Sequence, residues 1–490
     1  MMTFNDKPHN RASAAAIWTA KEASASTGGR VQGDWAATGL SIDTRTLKVG
    51  DLFIALRGDS LDGHDYVAAA LEKGAAAAVV DRIPEGVSET VPLLVVEDTF
   101  EALQALGIGA RARTGAKIIA VTGSVGKTGT KEMLAVAFGA LGQTYASKAS
   151  FNNHWGVPFS LASMHGGTDY GIFEIGMNHP GEIGPLAKMV RPDIAIITTV
   201  EPVHLENFSS IEEIADAKAE IFQGLDHNGT AVLNHDNPQF SRLLAAARTC
   251  GVKILSFGEH EDADARLVEC LIASNGSRIK AEIGGEGIAF TLLIPGRHIA
   301  LNALAVLLAV KATGGSVQKA AQALEKIEPL AGRGKREILE LGEGGNTVTL
   351  IDESYNASPV AMKAAFKVLA MIDPGRGGRR IAFLGDMLEL GADGPRLHEE
   401  LALPLKAADV HLVYTCGKLM KNLHDSLPQE LRGEHRDNSR DLARIVPDVL
   451  VPGDVVMVKG SHGSRMDVVV EAMRQLPGQK SKKQDGANAL

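Results

Sequence analysis

The chain has 490 residues, enough for about three domains that each bury a core of their own. A hydrophobic content of 45% with three cysteines predicts globular domains in a reducing compartment, without a disulfide framework. The formal net charge of −9 disfavours a nonspecific nucleic-acid binder, and the lack of an apolar stretch of about 18 residues excludes a membrane span. We interpret the polar first residues as a cytoplasmic start rather than a signal peptide.

The first block of the chain alternates short apolar strands with alanine-rich helical segments. The strands are DLFIAL at 51–56, AAAAVVD at 75–81 and PLLVVED at 92–98, each bounded by polar or turn residues. This pattern predicts an α/β domain over residues 1–113.

The stretch KIIAVTGSVGKTGTKEML at 117–134 joins a buried strand, 118–121, to a glycine-rich loop and a helix. Gly123 and Gly126 let backbone N–H groups approach phosphate oxygens, Lys127 can reach the terminal phosphates, and the Thr128 hydroxyl can bind Mg²⁺. The last strand residue, a valine, stands where the strict Walker pattern has its first glycine, so the loop is a variant. We predict a nucleotide-triphosphate site rather than a simple turn, formed by Thr122, Gly123, Ser124, Val125, Gly126, Lys127 and Thr128.

Functional groups follow the ends of two further buried strands, 171–176 and 193–200, where ligands bind in parallel sheets. Glu174 and His204 are candidate ligands of Mg²⁺ beside the phosphate loop. A solvated turn acid and a structural turn histidine are the alternatives.

Lys218 stands out because it shares a helical face with apolar residues in SSIEEIADAKAEIF at 209–222. A lysine on a buried face must pair, lose its charge or extend to water. Reaction with CO₂ would give an anionic carbamate that can bind a metal. From spacing alone, extension to water is the default.

The last block begins after PLAGRGKRE at 329–337, whose glycines and basic residues predict a hinge. Its strands TVTLID, RRIAFLGD, DVHLVYTCG and DVVMVKGS each end in Asp or Gly, as in an open parallel sheet. We therefore predict a three-domain α/β protein, with a first domain at 1–113, a central P-loop domain with a mainly parallel sheet at 114–329, and a Rossmann-like domain at 330–490.

Over nearly its whole length the chain resembles the Mur ligase family. LGDMLELG followed by His398 is similar to the branch that adds D-alanyl-D-alanine, whereas the diaminopimelate-adding branch carries DNPR in its last domain. Here DNPQ at 236–239 lies in the central block, and we interpret it as an ordinary turn. The resemblance rests on TGSVGKT at 122–128, FNNHWGVP at 151–158, EIGMNHPGEI at 174–183, PVHLENF at 202–208, the Lys218 helix, PGRHIALNALA at 295–305, GRGKRE at 332–337, IDESYNASP at 351–359 and LGDMLELG at 384–391.

The resemblance implies ATP as nucleotide and two Mg²⁺ ions. Thr128 and Glu174 would hold one ion, while His204 and carbamylated Lys218 would hold the second. The resemblance thus reverses the default for Lys218. Lys127, His204, Lys218 and Arg333 would be the catalytic residues.

The resemblance also implies contacts to the nucleotide and the amino substrate. Asn302 would contact adenine and Arg333 would reach the γ-phosphate across the domain cleft, while Asp352, Tyr355 and Asn356 would position nucleotide and amino substrate. The alternatives are a polar residue at a helix start for Asn302, a solvated hinge charge for Arg333 and a helix cap for Asp352.

The first domain would bind the UDP part of the acceptor. Candidates are Ser41, Asp43 and Arg45 for the nucleotide end and Asn152 with Asn153 for the muramoyl peptide. Three positions depart from the family pattern: Thr44 replaces serine, Thr199 replaces asparagine before the histidine turn, and Ser150 replaces asparagine before FNN.

The implied reaction is ATP-dependent ligation of D-alanyl-D-alanine to UDP-MurNAc-tripeptide through an acyl phosphate, in peptidoglycan synthesis, by a monomer. Another amino-acid-adding Mur enzyme or a folylpolyglutamate synthase is the alternative within the enzyme class. An ATP-dependent switch that does not ligate is the alternative from another class.

Overall fold

The structure, a computed structural model, describes residues 16–58, 60–88, 90–148, 151–202, 206–342 and 345–476. His204 and Ser150 lie outside the described residues. None of the helices in these ranges is long and apolar enough to cross a membrane.

The first sheet has five strands in the order β2-β7-β6-β5-β4, parallel except for the β2–β7 pair, and β1 pairs separately with β3. The three predicted strands are β5, β6 and β7. The elements are β1 (Trp18–Thr19), α1 (Ala20–Thr27), β2 (Arg30–Gln32), β3 (Ala36–Ala37), β4 (Gly39–Ser41), β5 (Asp51–Ile54), a 3-10 turn (Gly63–Tyr66), α2 (Val67–Glu72), β6 (Ala77–Val80), β7 (Leu93–Val95) and α3 (Thr99–Arg113).

The central sheet has nine strands in the order β16-β15-β14-β13-β12-β11-β8-β10-β9. Strands β8 to β14 pair in parallel, and β14, β15 and β16 extend the sheet as an antiparallel meander. The elements are β8 (Lys117–Thr122), α4 (Lys127–Gly139), β9 (Thr144–Ala146), α5 (Gly156–Ala162), β10 (Tyr170–Glu174), α6 (Ile183–Val190), β11 (Ile194–Ile197), α7 (Ile211–Ala219), a 3-10 turn (Glu220–Gly224), β12 (Thr230–Asn234), α8 (Phe240–Thr249), β13 (Lys253–Gly258), β14 (Ala265–Ala273), β15 (Gly276–Ile283), β16 (Glu286–Leu292), α9 (Arg297–Ala312) and α10 (Val317–Leu324).

The last sheet has six strands in the order β17-β18-β22-β19-β20-β21, and β17 alone among these runs antiparallel to its neighbour. The elements are β17 (Lys335–Glu340), β18 (Thr347–Glu353), α11 (Pro359–Ala370), β19 (Arg380–Gly385), α12 (Gly394–Glu399), α13 (Ala402–Ala407), β20 (Leu412–Cys416), α14 (Met420–Ser426), β21 (Arg432–Arg436), α15 (Ser439–Arg444), α16 (Val446–Val449), β22 (Val455–Lys459) and α17 (Asp467–Arg474), with 3-10 turns at Gly391–Asp393, Gln429–Leu431 and His462–Ser464.

The three α/β units with mainly parallel sheets agree with the predicted fold class, while the boundaries at 113 and 329 stay predictions. The first unit packs closely on the second. Trp18 donates its indole N–H to the carbonyl of Ala162 at 2.8 Å, and Phe159 belongs to the hydrophobic core around Trp18. Residues of α5 therefore complete the core of the first sheet.

The register of the central sheet brings three strand ends to one level. Glu174 at the end of β10 pairs with Val121, and Ile197 at the end of β11 pairs with Thr122. Because these strands are parallel neighbours, the segments that follow them meet at one edge of the sheet.

Candidate functional site

The loop between β8 and α4 has two positions at which a side chain would not fit. Gly123 has a φ of +147°, and a Cβ there would lie 2.0 Å from the Oγ1 of Thr198. Gly126 has a φ of +87°, and its Cβ would lie 2.6 Å from the Nδ2 of Asn302. Both glycines are therefore required by close contacts as well as by conformation.

Lys127 opens α4 and folds back over the loop. Its Nζ donates to the carbonyl oxygen of Gly123 at 2.7 Å. Burial lowers the pKa of Lys127, Arg333 adds to this effect, and Glu174 and Glu389 oppose it. Lys127 and Arg333 thus bring two basic side chains to the predicted phosphate site.

The remaining loop residues are tied to the segment after β11. Thr198, which the sequence analysis did not single out, donates its hydroxyl to the carbonyl of Val125 at 2.6 Å. The Ser124 hydroxyl donates to the carbonyl of Glu201 at 3.0 Å and accepts from its N–H. Thr122 Oγ1 is buried and lacks a hydrogen-bond partner among the described residues.

Thr199, the departure from the family pattern, has two hydrogen-bond partners. Its hydroxyl donates to Glu201 at 2.9 Å and accepts from the side-chain amide of Asn237 at 2.9 Å. The same amide donates to the carbonyl of Val200. The turn at 236–239, interpreted as ordinary, therefore supports the segment that follows β11.

Glu174 is almost fully buried, at 1% exposure, so the interpretation as a solvated turn acid is wrong. Its Oε1 accepts from the amide of Asn152 at 2.8 Å, while its Oε2 has no partner among the described residues. Asn153 accepts the N–H of Gly156 at the start of α5. The structure thus brings Asn152 to the predicted metal ligand, and its role with the muramoyl peptide stays a prediction.

Lys218 lies on α7 with 2% exposure, so the interpretation as a lysine that extends to water is wrong. In the described part of the chain its ammonium has no hydrogen bond or ion pair. Burial, and second the charge of Lys127, hold the pKa of Lys218 well below its usual value. Burial therefore favours the neutral form of this amine.

Arg333 crosses from the turn before β17 to the phosphate loop. Its guanidinium donates to the Thr128 hydroxyl at 3.1 Å and stacks over the ring of Tyr355 at 4.1 Å. The alternative of a solvated hinge charge is wrong. Asn302 is buried inside α9, five residues after its start, so the alternative of a helix-start residue is wrong too.

Asp352 is buried at the end of β18 and is occupied by protein groups. One oxygen accepts from the N–H of Gly332 at 3.0 Å and from Arg474, and the other accepts from the N–H and hydroxyl of Ser354. It does not cap α11, because Ser358 does so. In this structure Asp352 fixes the turn that carries Arg333.

Tyr355 and Asn356 follow on the same strand end. The Asn356 side chain accepts the N–H of Ala357, and its carbonyl accepts from Lys459 at 3.1 Å. Lys459, which pattern reasoning missed, is buried and also donates to Glu353 at 2.9 Å. The signal that could have identified Lys459 is the strand register, because Glu353 and Lys459 end neighbouring parallel strands.

The first-domain candidates lie together at the end of β4 and in the turn that follows it. The Ser41 hydroxyl donates to the carbonyl of Asp43 at 2.9 Å, and Arg45 pairs with the Asp43 carboxylate at 2.6 Å. The Arg45 side chain is 86% exposed. The Arg45 guanidinium is therefore open to a ligand.

No cluster of three or more His, Cys, Asp or Glu side chains with metal-binding geometry occurs in the described ranges. A cation site here would therefore combine Glu174, whose Oε2 has no partner among the described residues, with groups of other kinds such as the Thr128 hydroxyl.

Comparisons with known proteins agree with this geometry. Models of the Mur ligase family, catalytic domain, the Mur ligase middle domain and the Mur ligase, glutamate ligase domain match residues 36–123, 121–310 and 337–462. The UDP-N-acetylmuramoyl-tripeptide--D-alanyl-D-alanine ligase of Rickettsia prowazekii is 35% identical over 93% of this chain and 99% of its own length.

Solved structures agree as well. A crystal structure of MurF from Acinetobacter baumannii has a TM-score of 0.80 at 26% identity, over 94% of this chain and 99% of that one. MurF ligase from Thermotoga maritima in complex with ADP has a TM-score of 0.73 at 26% identity, over 89% and 96% of the two chains. The chain belongs to the Mur ligase family.

Proposed function

We propose that the chain is an ATP-dependent ligase that joins D-alanyl-D-alanine to UDP-MurNAc-tripeptide, producing the pentapeptide precursor of peptidoglycan. The observation that carries the proposal is the hydrogen bond from Arg333 to Thr128, which brings a cation of the last unit to the phosphate loop of the central one. The related ligases are named for this same substrate pair.

In the first step the tripeptide carboxylate attacks the γ-phosphorus of ATP, and ADP leaves. Lys127 and Arg333 are placed to stabilise the charge on the phosphoryl oxygens. In the second step the amine of D-alanyl-D-alanine attacks the acyl-phosphate carbonyl, and phosphate leaves. Asn302, packed on Gly126, is the candidate for adenine.

Mg²⁺, when bound, supplies positive charge that offsets the phosphoryl oxygens. Thr128 and Glu174 would hold one ion, and the unpartnered buried oxygen of Glu174 supports this role. His204 and a carbamate on Lys218 would hold the second ion. The carbamate is supported by the burial and lowered pKa of Lys218, because the neutral amine is the form that reacts with CO₂.

We further propose that residues 1–113 bind the UDP part through Ser41, Asp43 and Arg45, with Asn152 and Asn153 near the muramoyl peptide. Residues 114–329 would bind ATP, and residues 330–490 would bring the amino substrate through Tyr355 and Asn356. We place the reaction in the cytoplasm, since the three cysteines are free thiols. We propose a monomer, because one chain supplies all proposed site residues.

The decisive experiment measures phosphate release from ATP with UDP-MurNAc-tripeptide and a panel of D-amino acids and dipeptides. We expect release that requires both the acceptor and D-alanyl-D-alanine. Preference for a single amino acid would favour a sister ligase. Release without either substrate would favour an ATP-dependent switch and overturn the proposal.

A further inference from the structure

The turn at 236–239 contacts residues 198–201, the segment that follows β11. Strands β11 and β12 are parallel neighbours, so the segments after them meet at one edge of the central sheet. Asn237 of the turn is buried, at 6% exposure. Its side-chain amide donates to the Thr199 hydroxyl at 2.9 Å and to the Val200 carbonyl at 3.0 Å. The amide nitrogen of Asn237 therefore joins the turn to the segment after β11.

The orientation of the Asn237 amide is fixed from the side of the turn as well. Its Oδ1 accepts the N–H of Gln239 at 2.9 Å, so the oxygen faces the turn and the nitrogen faces Thr199. Asn234, at the end of β12, donates its own amide to the carbonyl of Thr198 at 3.1 Å. Two asparagine side chains thus hold the segment after β11 from the side of β12.

The same segment holds the phosphate loop. The N–H of Ser124 donates to the carbonyl of Thr199 at 2.9 Å. Thr198 donates its hydroxyl to the carbonyl of Val125 at 2.6 Å. Thr199 therefore binds Asn237 through its side chain and the phosphate loop through its carbonyl, and it connects the two directly.

The loss of the Asn237 amide should displace the segment after β11. Asn237 and Val200 are both buried, with 6% and 1% exposure. Removal of a buried donor leaves its acceptors unsatisfied, which costs more free energy than the loss of an exposed hydrogen bond. The phosphate loop would move with the segment, and the directions of its N–H groups determine how well it binds an anion.

We propose that Asn237 is a positioning residue of the nucleotide site, which fixes the phosphate loop through Thr199 and Val200. This inference rests on the nucleotide-binding part of the proposed function. Asn237 acts through the segment after β11 rather than on a substrate. Its removal should therefore weaken nucleotide binding and leave the binding of D-alanyl-D-alanine unchanged.

The test uses Asn237→Asp, which keeps the size of the side chain but replaces the amide donor with a carboxylate that, when ionised, only accepts hydrogen bonds. Isothermal titration calorimetry should show about tenfold weaker binding of ADP with Mg²⁺, as expected for one or two lost hydrogen bonds. The KM for ATP should rise by a similar factor, while the KM for D-alanyl-D-alanine should stay within about twofold of wild type.

Thr199→Val is a second variant, which removes only the hydroxyl that Asn237 binds and keeps the test available if N237D does not fold. It should weaken ADP binding by about threefold, the effect of one hydrogen bond. The double variant N237D/T199V should bind ADP no more weakly than N237D, because both changes remove the same bond. Additive losses in ADP affinity would overturn the inference.

Asn228→Ala is the matched control, because Asn228 is an exposed asparagine in the turn before β12, at the opposite end of that strand. It should bind ADP as wild type does. Equal ADP affinity of N237D and N228A would overturn the inference, and so would an equal rise of both KM values in N237D. A wild-type enzyme that binds ADP but releases no phosphate in response to the dipeptide would instead overturn the proposed function, since the titrations do not depend on ligation.

Discussion

The guanidinium of Arg333 donates a hydrogen bond of 3.1 Å to the Thr128 hydroxyl, although 205 positions separate the two residues in the chain. The same guanidinium stacks on Tyr355. Its direction is therefore fixed by Thr128 of the central unit and by Tyr355 of the last unit. A cation therefore stands at the phosphate loop at the point where the central and last units meet.

Arg333 should act in the phosphoryl-transfer step. We expect Arg333→Ala to lower kcat by about 1,000-fold or more, as for arginines that stabilise phosphoryl transfer. Arg333→Lys should recover a minor part, since it keeps the charge but loses the planar fork. Steady-state kinetics measure the effect, and Arg376→Ala, an exposed arginine of the same domain, is the control. Similar kcat values for R333A and R376A would contradict the role.

Lys127→Ala should abolish ligation and leave the fold intact, because a neutral side chain cannot replace its charge at the loop. Retention of more than about a tenth of kcat, an effect under ~1.4 kcal/mol, would contradict the transition-state role. Kinetics and thermal melting of K127A are compared with those of Lys188→Ala, an exposed lysine on α6.

Arg474 should influence catalysis through Asp352. It pairs with Glu337 and donates to Asp352, which holds the Gly332 turn. Arg474→Met should reduce the free energy of unfolding by about 1–2 kcal/mol, because loss of the partly exposed guanidinium leaves the buried carboxylate of Asp352 with fewer hydrogen-bond partners. The substitution should also lower kcat, because Asp352 fixes the turn that carries Arg333. In the R333A background the effect on kcat should disappear, and additive effects on kcat would refute this coupling.

Lys218 should be carbamylated in the active enzyme. Lys218→Ala should be nearly inactive and should recover partly with acetate, which returns a carboxylate to the site. Depletion of CO₂ should lower wild-type activity, unless the carbamate exchanges slowly. Lys21→Ala, at an exposed position, should be active without acetate. High-resolution density for an unmodified amine with ATP and Mg²⁺ bound would rule the modification out.

The loop at residues 386–390, in which Met387 donates its N–H to His398, should exchange its amide hydrogens faster at acidic pH. Burial lowers the pKa of His398 below the ordinary value of about 6.5, so the fold favours its neutral form. The resulting stability is present above about pH 6.5 and is lost as pH falls from there to the lowered pKa, by up to about 1.4 kcal/mol per pH unit. Hydrogen exchange of peptides covering the loop measures this.

His398→Gln provides the comparison, because glutamine offers an acceptor to Met387 but does not titrate in this range. Exchange in H398Q should depend less on pH than in wild type. Equal pH dependence of the two proteins would assign the effect to other groups.

Local patterns in the sequence predicted the α/β fold class, the phosphate loop and the strand ends that carry Glu174 and Asp352. These are properties of short segments: apolar runs form buried strands, and glycines at fixed spacing approach an anion. Motif resemblance identified the family. The antiparallel meander β14–β16 and the packing of α5 under the first sheet were not predicted, since pairing between segments leaves little trace in either one alone.

Tertiary structure decided what these residues do with one another. Spacing placed Lys218 on an apolar face but left its extension to water open, and the surrounding elements bury it. The bonds of Thr198 to the phosphate loop, of Asn237 to Thr199 and of Lys459 to Glu353 join residues that are distant in the chain. Hydrogen bonds and desolvation depend on distances in space, and a linear pattern fixes such distances only within a helix turn or a strand.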